Sequence, residues 1–305
     1  MNIYTLHMHS TINIKEKLVA CIGYFDGLHR GHQALVKKVI SKAHELQAVP
    51  TMISFYPDPW VVIKDIKQPK HITTMNERYA LAAKLGIENF IVLDFTKEVA
   101  DLSPHDFIHN ILGQLSLQAL ICGFDFHFGR FGRGNSQYLI DECNYPIYTI
   151  EEVKDHDEKI SSTRICKALQ EGKIEEVNRL LGRDYMIEGK VIHGLGNGHK
   201  LGYPTANIDY SDELLLPKSG IYGGYLFDDG KKKFCMISLG HNPSIKYQNR
   251  LSLEVNIFDF DKNIYGQTIA IYWLGILREE MYFSHKDNLI EQLEKDKEEV
   301  LKKWK

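Results

Sequence analysis

The sequence lacks the features that mark a membrane, secreted or nucleic-acid-binding protein. Its 37 lysines and arginines stand against 40 aspartates and glutamates, so the net charge is −3 and no general basic field attracts nucleic acid or an anionic membrane. No stretch approaches the roughly 18 apolar residues of a membrane span. The N-terminal MNIYTLHMHS has no basic start followed by an apolar run. We therefore expect neither a nucleic acid nor a membrane as partner.

Cysteine is scarce and scattered. The five cysteines are Cys21, Cys122, Cys143, Cys166 and Cys235. They form no C-x-x-C pair, and their odd number argues against a disulfide framework. We predict small buried thiols in a cytoplasmic protein, and neither zinc ligands nor disulfides.

The order of hydrophobic patterns divides the 305 residues into two parts. Up to about residue 150, β-rich runs alternate with helical patterns such as 32–46, which predicts β-α-β units on a parallel sheet. The predicted strands there are 18–24, 50–56, 89–95, 118–122 and 146–150. After Tyr185, strand-like runs follow one another without helices between them, which predicts an antiparallel barrel or sandwich.

The charged stretch at the C-terminus, residues 286–305, has apolar positions on one side only. We predict an amphipathic helix that packs on the barrel. The whole chain is thus expected to combine an α/β domain over residues 1–183 with a β-barrel domain over residues 184–305.

The turn after the first predicted strand has the composition of a phosphate site. The segment GYFDGLHRGH contains H-x-G-H, with His29 and His32 at the start of the first helix. Gly27 and Gly31 let a ligand approach the backbone closely, and the helix N-terminus offers free N–H groups to an anion. Such a turn lies at the carboxyl edge of a parallel sheet, where ligands bind. Alone, the motif equally fits a surface turn with two unrelated histidines.

Two other segments suggest ligand contacts. ISSTRI at 160–165 places two serines, a threonine and Arg164 at another helix start, where Arg164 can hold a phosphate. Alone, this segment reads as an ordinary capped helix. CGFDFHFGRFGRGN at 122–135 has alternate phenylalanines that fit a strand core. Beside glycines and two arginines, they indicate an aromatic wall and a basic loop for a flat ligand.

GYFDGLHRGH, GFDFHFG and ISSTRI, in this order, resemble the nucleotidyltransferase module of bacterial bifunctional riboflavin kinase/FMN adenylyltransferases. The resemblance extends over essentially the whole chain. It implies a Rossmann-like domain that transfers AMP from ATP onto FMN to make FAD, with Mg²⁺ assisting. It also implies that His29 and His32 stabilise charge at the α-phosphate and that Arg164 acts with them. The other ATP- or flavin-binding residues that it implies are Gly23, Phe25, Asp26, Gly27, Gly31, Asp125, Phe126, Phe128, Ser161, Ser162 and Thr163.

One position departs from that family. The second strand runs into SFYPDPW, so Asp58 stands where the family usually has histidine. A carboxylate repels phosphates unless a metal binds it. We therefore expect ATP or flavin geometry to differ at this point.

The C-terminal part contains a second phosphate-binding pattern, HGLGNGHKLGYPTANI at 193–208. Its glycines make a loop whose backbone N–H groups can wrap phosphates. Thr205 and Asn207 offer neutral oxygen ligands of the kind that Mg²⁺ accepts. Alone, the segment reads as a glycine-rich hairpin.

P-T-A-N after a glycine-rich loop resembles the riboflavin kinase signature. The resemblance implies a riboflavin-kinase-like barrel that phosphorylates riboflavin with ATP, with Glu254 as catalytic base and Arg278 near the flavin phosphate. It also implies contacts from the loop and its end, at Gly196, Gly198, Gly202 and Pro204. Fewer cationic side chains than usual are available to bind the phosphates, because Asn197 and His199 lie where the family has arginines. Ser244 lies where threonine is frequent.

Several alternatives stay open at this stage. The barrel domain can be an inactive kinase kept for structure or regulation, which leaves an FAD synthetase alone. Other H-x-G-H enzymes, such as pantetheine-phosphate or nicotinate-nucleotide adenylyltransferases, have no reason to carry the P-T-A-N barrel. A non-catalytic flavin-binding protein has no need for intact His29, His32 and Arg164. The sequence leaves the oligomeric state open.

Overall fold

The computed structural model describes residues 1–10, 12–194, 202–240 and 250–305. The chain forms two compact units, Met1–Ser162 and Thr163–Lys305. The predicted domain boundary at 183/184 stays a prediction. Within the described ranges, no helix combines the length and apolar character needed to cross a membrane.

A parallel six-stranded sheet forms the centre of the first unit. Its strands are β1 (Asn2–Leu6), β2 (Leu18–Ile22), β3 (Val49–Tyr56), β4 (Asn89–Asp94), β5 (Leu117–Gly123) and β6 (Ile147–Ile150). They lie in the order β1-β4-β3-β2-β5-β6, and every neighbouring pair is parallel. The predicted parallel sheet is confirmed, and β1, which was not predicted, adds an edge.

Helices cover both faces of this sheet. They are α1 (Arg30–Glu45), α2 (Pro59–Lys64), α3 (Met75–Lys84), α4 (Lys97–Ala100), α5 (Pro104–Asn110) and α6 (Ser136–Glu142). One apolar cluster joins the sheet to α1 and α3 through residues such as Val36 and Ala82. Another joins the opposite face to α5 and α6 through Phe107 and Leu139. Since both faces are covered, the central strand β2 is wholly buried and uniformly apolar.

The first unit ends in a small antiparallel hairpin, β7 (Lys154–Asp155) and β8 (Glu158–Lys159). Two helices follow, α7 (Ser162–Gln170) and α8 (Ile174–Leu181), and the first begins within ISSTRI, where the sequence predicts a helix start. Apart from Ser162, they belong to the second unit. Gly182 ends α8 in the left-handed conformation, φ 68°, that glycine adopts readily.

The second unit is a closed antiparallel barrel. Its strands are β9 (Tyr185–Ile192), β10 (Ala206–Tyr210), β11 (Gly220–Asp228), β12 (Lys231–Gly240), β13 (Ser252–Ile257) and β14 (Thr268–Arg278). They close in the order β10-β13-β12-β11-β14-β9. The predicted barrel is confirmed, but no strand was predicted at β10, which begins at Ala206 within P-T-A-N.

The terminal helix α9 (Lys286–Trp304) packs on this barrel. Val300 is fully buried against Met236 and Phe258. The Trp304 ring covers Gly223 so closely that a Cβ on that glycine would lie 2.2 Å from it. The predicted amphipathic helix and its packing are therefore confirmed.

Three of the five cysteines are buried, as predicted, and Cys143 and Cys166 are half-buried. Burial raises the pKa of the Cys122 thiol to about 11. It raises the pKa of Cys21 and Cys235 as well. These three thiols therefore stay protonated near neutral pH and unreactive as nucleophiles.

Candidate active sites

A cavity of about 780 Å³ opens at the carboxyl edge of the parallel sheet. Segments that follow β2, β3, β4, β5 and β6 all contribute to its walls. The chain moves from β2 to β3 and β4 on one side of the sheet and then returns to β5 on the other side. The carboxyl ends of β2 and β5 thus mark the point where strand order reverses, which is where open α/β sheets bind ligands.

The turn after β2 brings the two predicted histidines together in the cavity wall. The His29 and His32 rings stack with centroids 3.7 Å apart and an interplanar angle of 17°. His29 is the N-cap of α1, which therefore begins at Arg30, two residues earlier than predicted. The left-handed backbone at Phe25 (φ 58°) and Gly27 (φ 75°) turns the chain sharply enough to place this helix start beneath the cavity.

A buried ionic network around Asp26 stabilises this turn. The Asp26 carboxylate accepts hydrogen bonds from the Ile72 and Thr73 amides at 3.0 and 3.1 Å. It also pairs with Arg78 Nη2 at 3.1 Å, and Arg78 is only 1% exposed. Neither Asp26 nor Gly27 lines the cavity, so direct ligand contact by these two stays a prediction. Burial raises the pKa of the neighbouring Tyr24, which the Arg78 charge partly offsets.

The ISSTRI segment meets the histidine turn. Ser161 and Ser162 line the same cavity as His29 and His32. Ser162 Oγ donates to the Asp26 carbonyl at 3.0 Å, a contact between residues 136 positions apart in sequence. The histidine turn, the serines of ISSTRI and the GFDFHFG segment, all three predicted from the sequence, thus border one cavity.

Thr163 and Arg164 lie further along α7, in the second unit. There, Arg164 pairs with Glu176 Oε1 through Nε at 3.1 Å and Nη2 at 2.9 Å. The guanidinium is thus held by α8. The predicted phosphate contacts of Thr163 and Arg164 remain predictions.

The glycine-rich segment after β5 forms the aromatic wall. The Phe126 and Phe128 rings are nearly parallel, with centroids 5.7 Å apart. Phe128 also packs on Phe107 of α5, so this wall is anchored in the core. At the rim, Phe131 is 79% exposed in the left-handed conformation, with the Arg130 guanidinium 5.0 Å from its ring centroid. The combination of flat rings and cations suits a planar anionic ligand.

Lys159 is a cavity residue that the sequence analysis did not single out. Its ammonium pairs with the Asp125 carboxylate and lies 4.6 Å from the centroid of the Phe124 ring. Its position two residues before the serines of ISSTRI was the available signal, because it adjoins a predicted phosphate-binding segment. Trp60 and Ile63 of α2 were likewise missed, and both line the cavity although about half exposed.

Asp58, the departure from the family pattern, caps a helix. Its carboxylate accepts a hydrogen bond from the Trp60 amide at 2.7 Å at the start of α2. Asp58 itself is not among the cavity-lining residues. Aspartate is a strong N-cap, so the substitution positions the helix that carries Trp60 and Ile63.

In the barrel, three of the predicted kinase residues, Thr205, Asn207 and Glu254, come together. Asn207 on β10 and Glu254 on β13 are direct cross-strand partners. Thr205 Oγ1 donates to Glu254 Oε2 at 3.3 Å, and Ser252 Oγ donates to Oε1 at 3.4 Å. A Cβ on Gly194 would lie 2.0 Å from Asn207 Nδ2, so glycine is needed there to let the backbone approach the amide.

A cavity of about 420 Å³ adjoins this cluster. Pro204 and Thr205 form one side, and the segment from Phe260 to Tyr265 forms the other. Gly202, with φ 80°, is an exposed turn residue just before it. The predicted loop residues Gly196 and Gly198, together with Asn197, His199 and Ser244, lie outside the described residues.

Arg278 has a buried partner. Its Nε and Nη2 donate to the Asp296 carboxylate of α9 at 2.8 to 3.1 Å, and Asp296 is 2% exposed. This bidentate pair ties β14 to the terminal helix. Contact between Arg278 and a flavin phosphate stays a prediction.

Comparison with known proteins identifies both domains. Residues 11–164 match the family model of FAD synthetase, and residues 181–304 match that of riboflavin kinase. A bifunctional riboflavin kinase/FMN adenylyltransferase from Listeria monocytogenes is 36% identical, covering 97% of this chain and 96% of the relative. One of the same description from Bacillus subtilis is 35% identical, covering 98% and 97%.

A solved structure matches the complete architecture. The crystal structure of a Streptococcus pneumoniae protein described as a macrolide-efflux protein has a TM-score of 0.89, is 30% identical and covers 99% of both chains. That description belongs to the pneumococcal protein. From the two matched domains and the relatives that span nearly its full length, this chain belongs to the family of bifunctional riboflavin kinase/FMN adenylyltransferases.

Proposed function

We propose that the first unit transfers AMP from ATP onto FMN, and that the second unit makes that FMN from riboflavin and ATP. The observation that carries the first activity is the stacked His29–His32 pair beside Ser161 and Ser162 in one cavity at the sheet's reversal point. The aromatic wall of Phe126 and Phe128 gives the same cavity a surface for the flavin ring.

In the adenylyl transfer, an FMN phosphate oxygen attacks the α-phosphorus of ATP. A new P–O bond forms, the bond to the β-phosphate bridging oxygen breaks, and pyrophosphate leaves. The FMN phosphate is already an anion, so the chain needs no nucleophile or strong base. His29, His32 and the N-terminus of α1 donate hydrogen bonds where negative charge grows, and the two serines help to position the phosphates.

In the kinase reaction, Glu254 is the proposed base. Its carboxylate takes the proton from the ribityl hydroxyl as that oxygen attacks the γ-phosphorus and ADP leaves. Hydroxyl groups bonded to both carboxylate oxygens fix its orientation. The neighbouring Thr205 and Asn207 oxygens and the carboxylate are hard donors that fit Mg²⁺. When bound there, Mg²⁺ supplies charge neutralisation for the phosphates.

The setting of both reactions follows from their substrates. ATP, FMN and riboflavin are the small-molecule partners, and FAD is the product. We place the enzyme in the cytoplasm, because ATP is available there and the five cysteines form no disulfide.

The experiment that tests the proposal separates the two activities. The chain is incubated with Mg-ATP and either riboflavin or FMN, and the flavins are resolved by HPLC. We expect FAD from FMN, and FMN followed by FAD from riboflavin. Glu254→Gln, which keeps the side-chain shape and removes the basic carboxylate, should abolish FMN formation and leave FAD synthesis intact. FAD synthesis from FMN without any riboflavin turnover by the unmodified chain would overturn the kinase assignment.

A further inference from the structure

A cluster of metal-binding side chains lies outside both sites. His105 and His109 project from α5, and Glu142 ends α6. Each offers one ligand atom, and the three atoms lie within 4.8 Å of one another. None of the three lines the large cavity. We propose that they form a binding site for a divalent transition metal, with Zn²⁺ as the ion that best fits.

The spacing on α5 supports two ligands on one face. His105 and His109 are four residues apart, and their rings have centroids separated by 4.2 Å. Residues i and i+4 are neighbours on a helix surface, so both imidazoles can reach one ion. Two imidazoles and a carboxylate are donors that bind zinc, with a fourth position left for water.

The two helices are already fixed relative to each other by their buried faces. Phe107 and Ile108 of α5 and Leu139 of α6 belong to one buried cluster. Phe128 bridges them, packing on Phe107 at 5.3 Å and on Tyr138 of α6 at 6.2 Å between ring centroids. The ion therefore needs only side-chain rotations. Ligand atoms on a tetrahedral zinc lie about 3.3 Å apart, so the three exposed side chains need to close by roughly 1.5 Å.

The local charge favours a cation. Asp106 lies beside His105, with its carboxylate 3.6 Å from His105 Nδ1, and Asp141 precedes Glu142. The site thus combines three metal-binding side chains with acidic neighbours.

The test uses the full chain, reduced and without nucleotide. Zn²⁺ titration by calorimetry should show one strong site. His109→Ala should lower the affinity at least tenfold, and His105→Ala/His109→Ala should remove the site. Co²⁺ should give visible absorption bands in the unmodified chain that are absent from the double variant.

A matched control is available at His9, an exposed imidazole 2.9 Å from the Glu98 carboxylate. His9→Ala should leave zinc affinity unchanged. Equal binding by the unmodified chain and the double variant, or an equal loss in His9→Ala, would overturn the assignment. A thiolate-to-cobalt band in the near ultraviolet would also overturn it, because the ion would then be bound by cysteine. Thermal melting without metal should match in all variants, since the substituted side chains are exposed.

Discussion

At the scale of single residues, the adenylyl-transfer proposal depends most directly on His32. Its ring stacks on His29 and meets Phe25 edge-on at 5.2 Å. His32→Ala should slow FAD synthesis by on the order of 10²-fold or more, because a donor to the growing charge is lost. Riboflavin phosphorylation by the same preparation serves as an internal control and should not change. Near-normal FAD synthesis would remove His32 from the mechanism.

Substitution of Arg78 should mainly lower the stability of the fold. Arg78→Met leaves the Asp26 carboxylate buried without its cation, so we expect a loss of about 3–5 kcal/mol in the free energy of unfolding. Urea denaturation followed by circular dichroism measures it. Lys97→Met is the control, because Lys97 and Asp101 form an exposed pair that should contribute no more than about 1 kcal/mol. Equal losses in the two variants would contradict the role given to the buried network.

Residue patterns could predict which side chains share a site, but not all the contacts that hold them. The spacing of His29 and His32 was enough to place both at one helix start. The bond from Ser162 to the Asp26 carbonyl could not be predicted, because it joins residues far apart in sequence. Arg78 carried no signal, since a charged residue in a helical pattern normally indicates a solvated face.

At the scale of secondary-structure elements, α2 connects Asp58 to the cavity. Asp58→Ala removes the N-cap and should raise the KM for FMN several-fold, because Trp60 and Ile63 lose their fixed position, while costing about 1 kcal/mol of stability. Asp58→Asn keeps a capping oxygen and should stay close to the unmodified enzyme. Initial rates at saturating ATP give the KM for FMN of both variants. If Asp58→Asn raises the KM for FMN as much as Asp58→Ala does, the effect comes from the charge of Asp58 and not from the helix cap.

The elements themselves were predicted unevenly. Strands β2 to β5 were predicted because they are largely buried and rich in apolar residues. The edge strand β6 is only half-buried, and its IYTI sequence was predicted from its β-branched and aromatic residues. The strand β10 was missed because its ANIDY sequence mixes polar and apolar residues and follows a glycine-rich loop. Its register against β13 brings Asn207 to Glu254. The sequence could therefore identify the residues of the kinase cluster but could not predict that they are neighbours.

At the scale of the whole molecule, the division of the chain after Ser162 indicates at which residue a stable barrel fragment should begin. Ile174, Val177, Leu180 and Leu181 of α8 are fully buried. Asn178 of the same helix donates to the Trp273 carbonyl at 2.8 Å and accepts from the Tyr185 amide at 2.7 Å. A fragment that begins at residue 163 keeps these contacts, whereas one that begins at 184 loses them.

One experiment therefore compares the two fragments. Residues 163–305 should melt cooperatively and phosphorylate riboflavin. Residues 184–305 should melt at least several degrees lower, because loss of α8 exposes apolar barrel surface to water. Differential scanning calorimetry decides between them. Equal melting temperatures would favour the predicted boundary at 183/184 as the place where the barrel domain begins.

The closed barrel also has a consequence for self-association. Each of its six described strands has a hydrogen-bonded neighbour on both sides, so none of them lies at a sheet edge where another strand can add. Among the described strands of the parallel sheet, β1 and β6 each have only one neighbour, and β1 carries the half-exposed Ile3. If copies of this chain were to aggregate by strand addition while folded, the first unit is where that growth would begin.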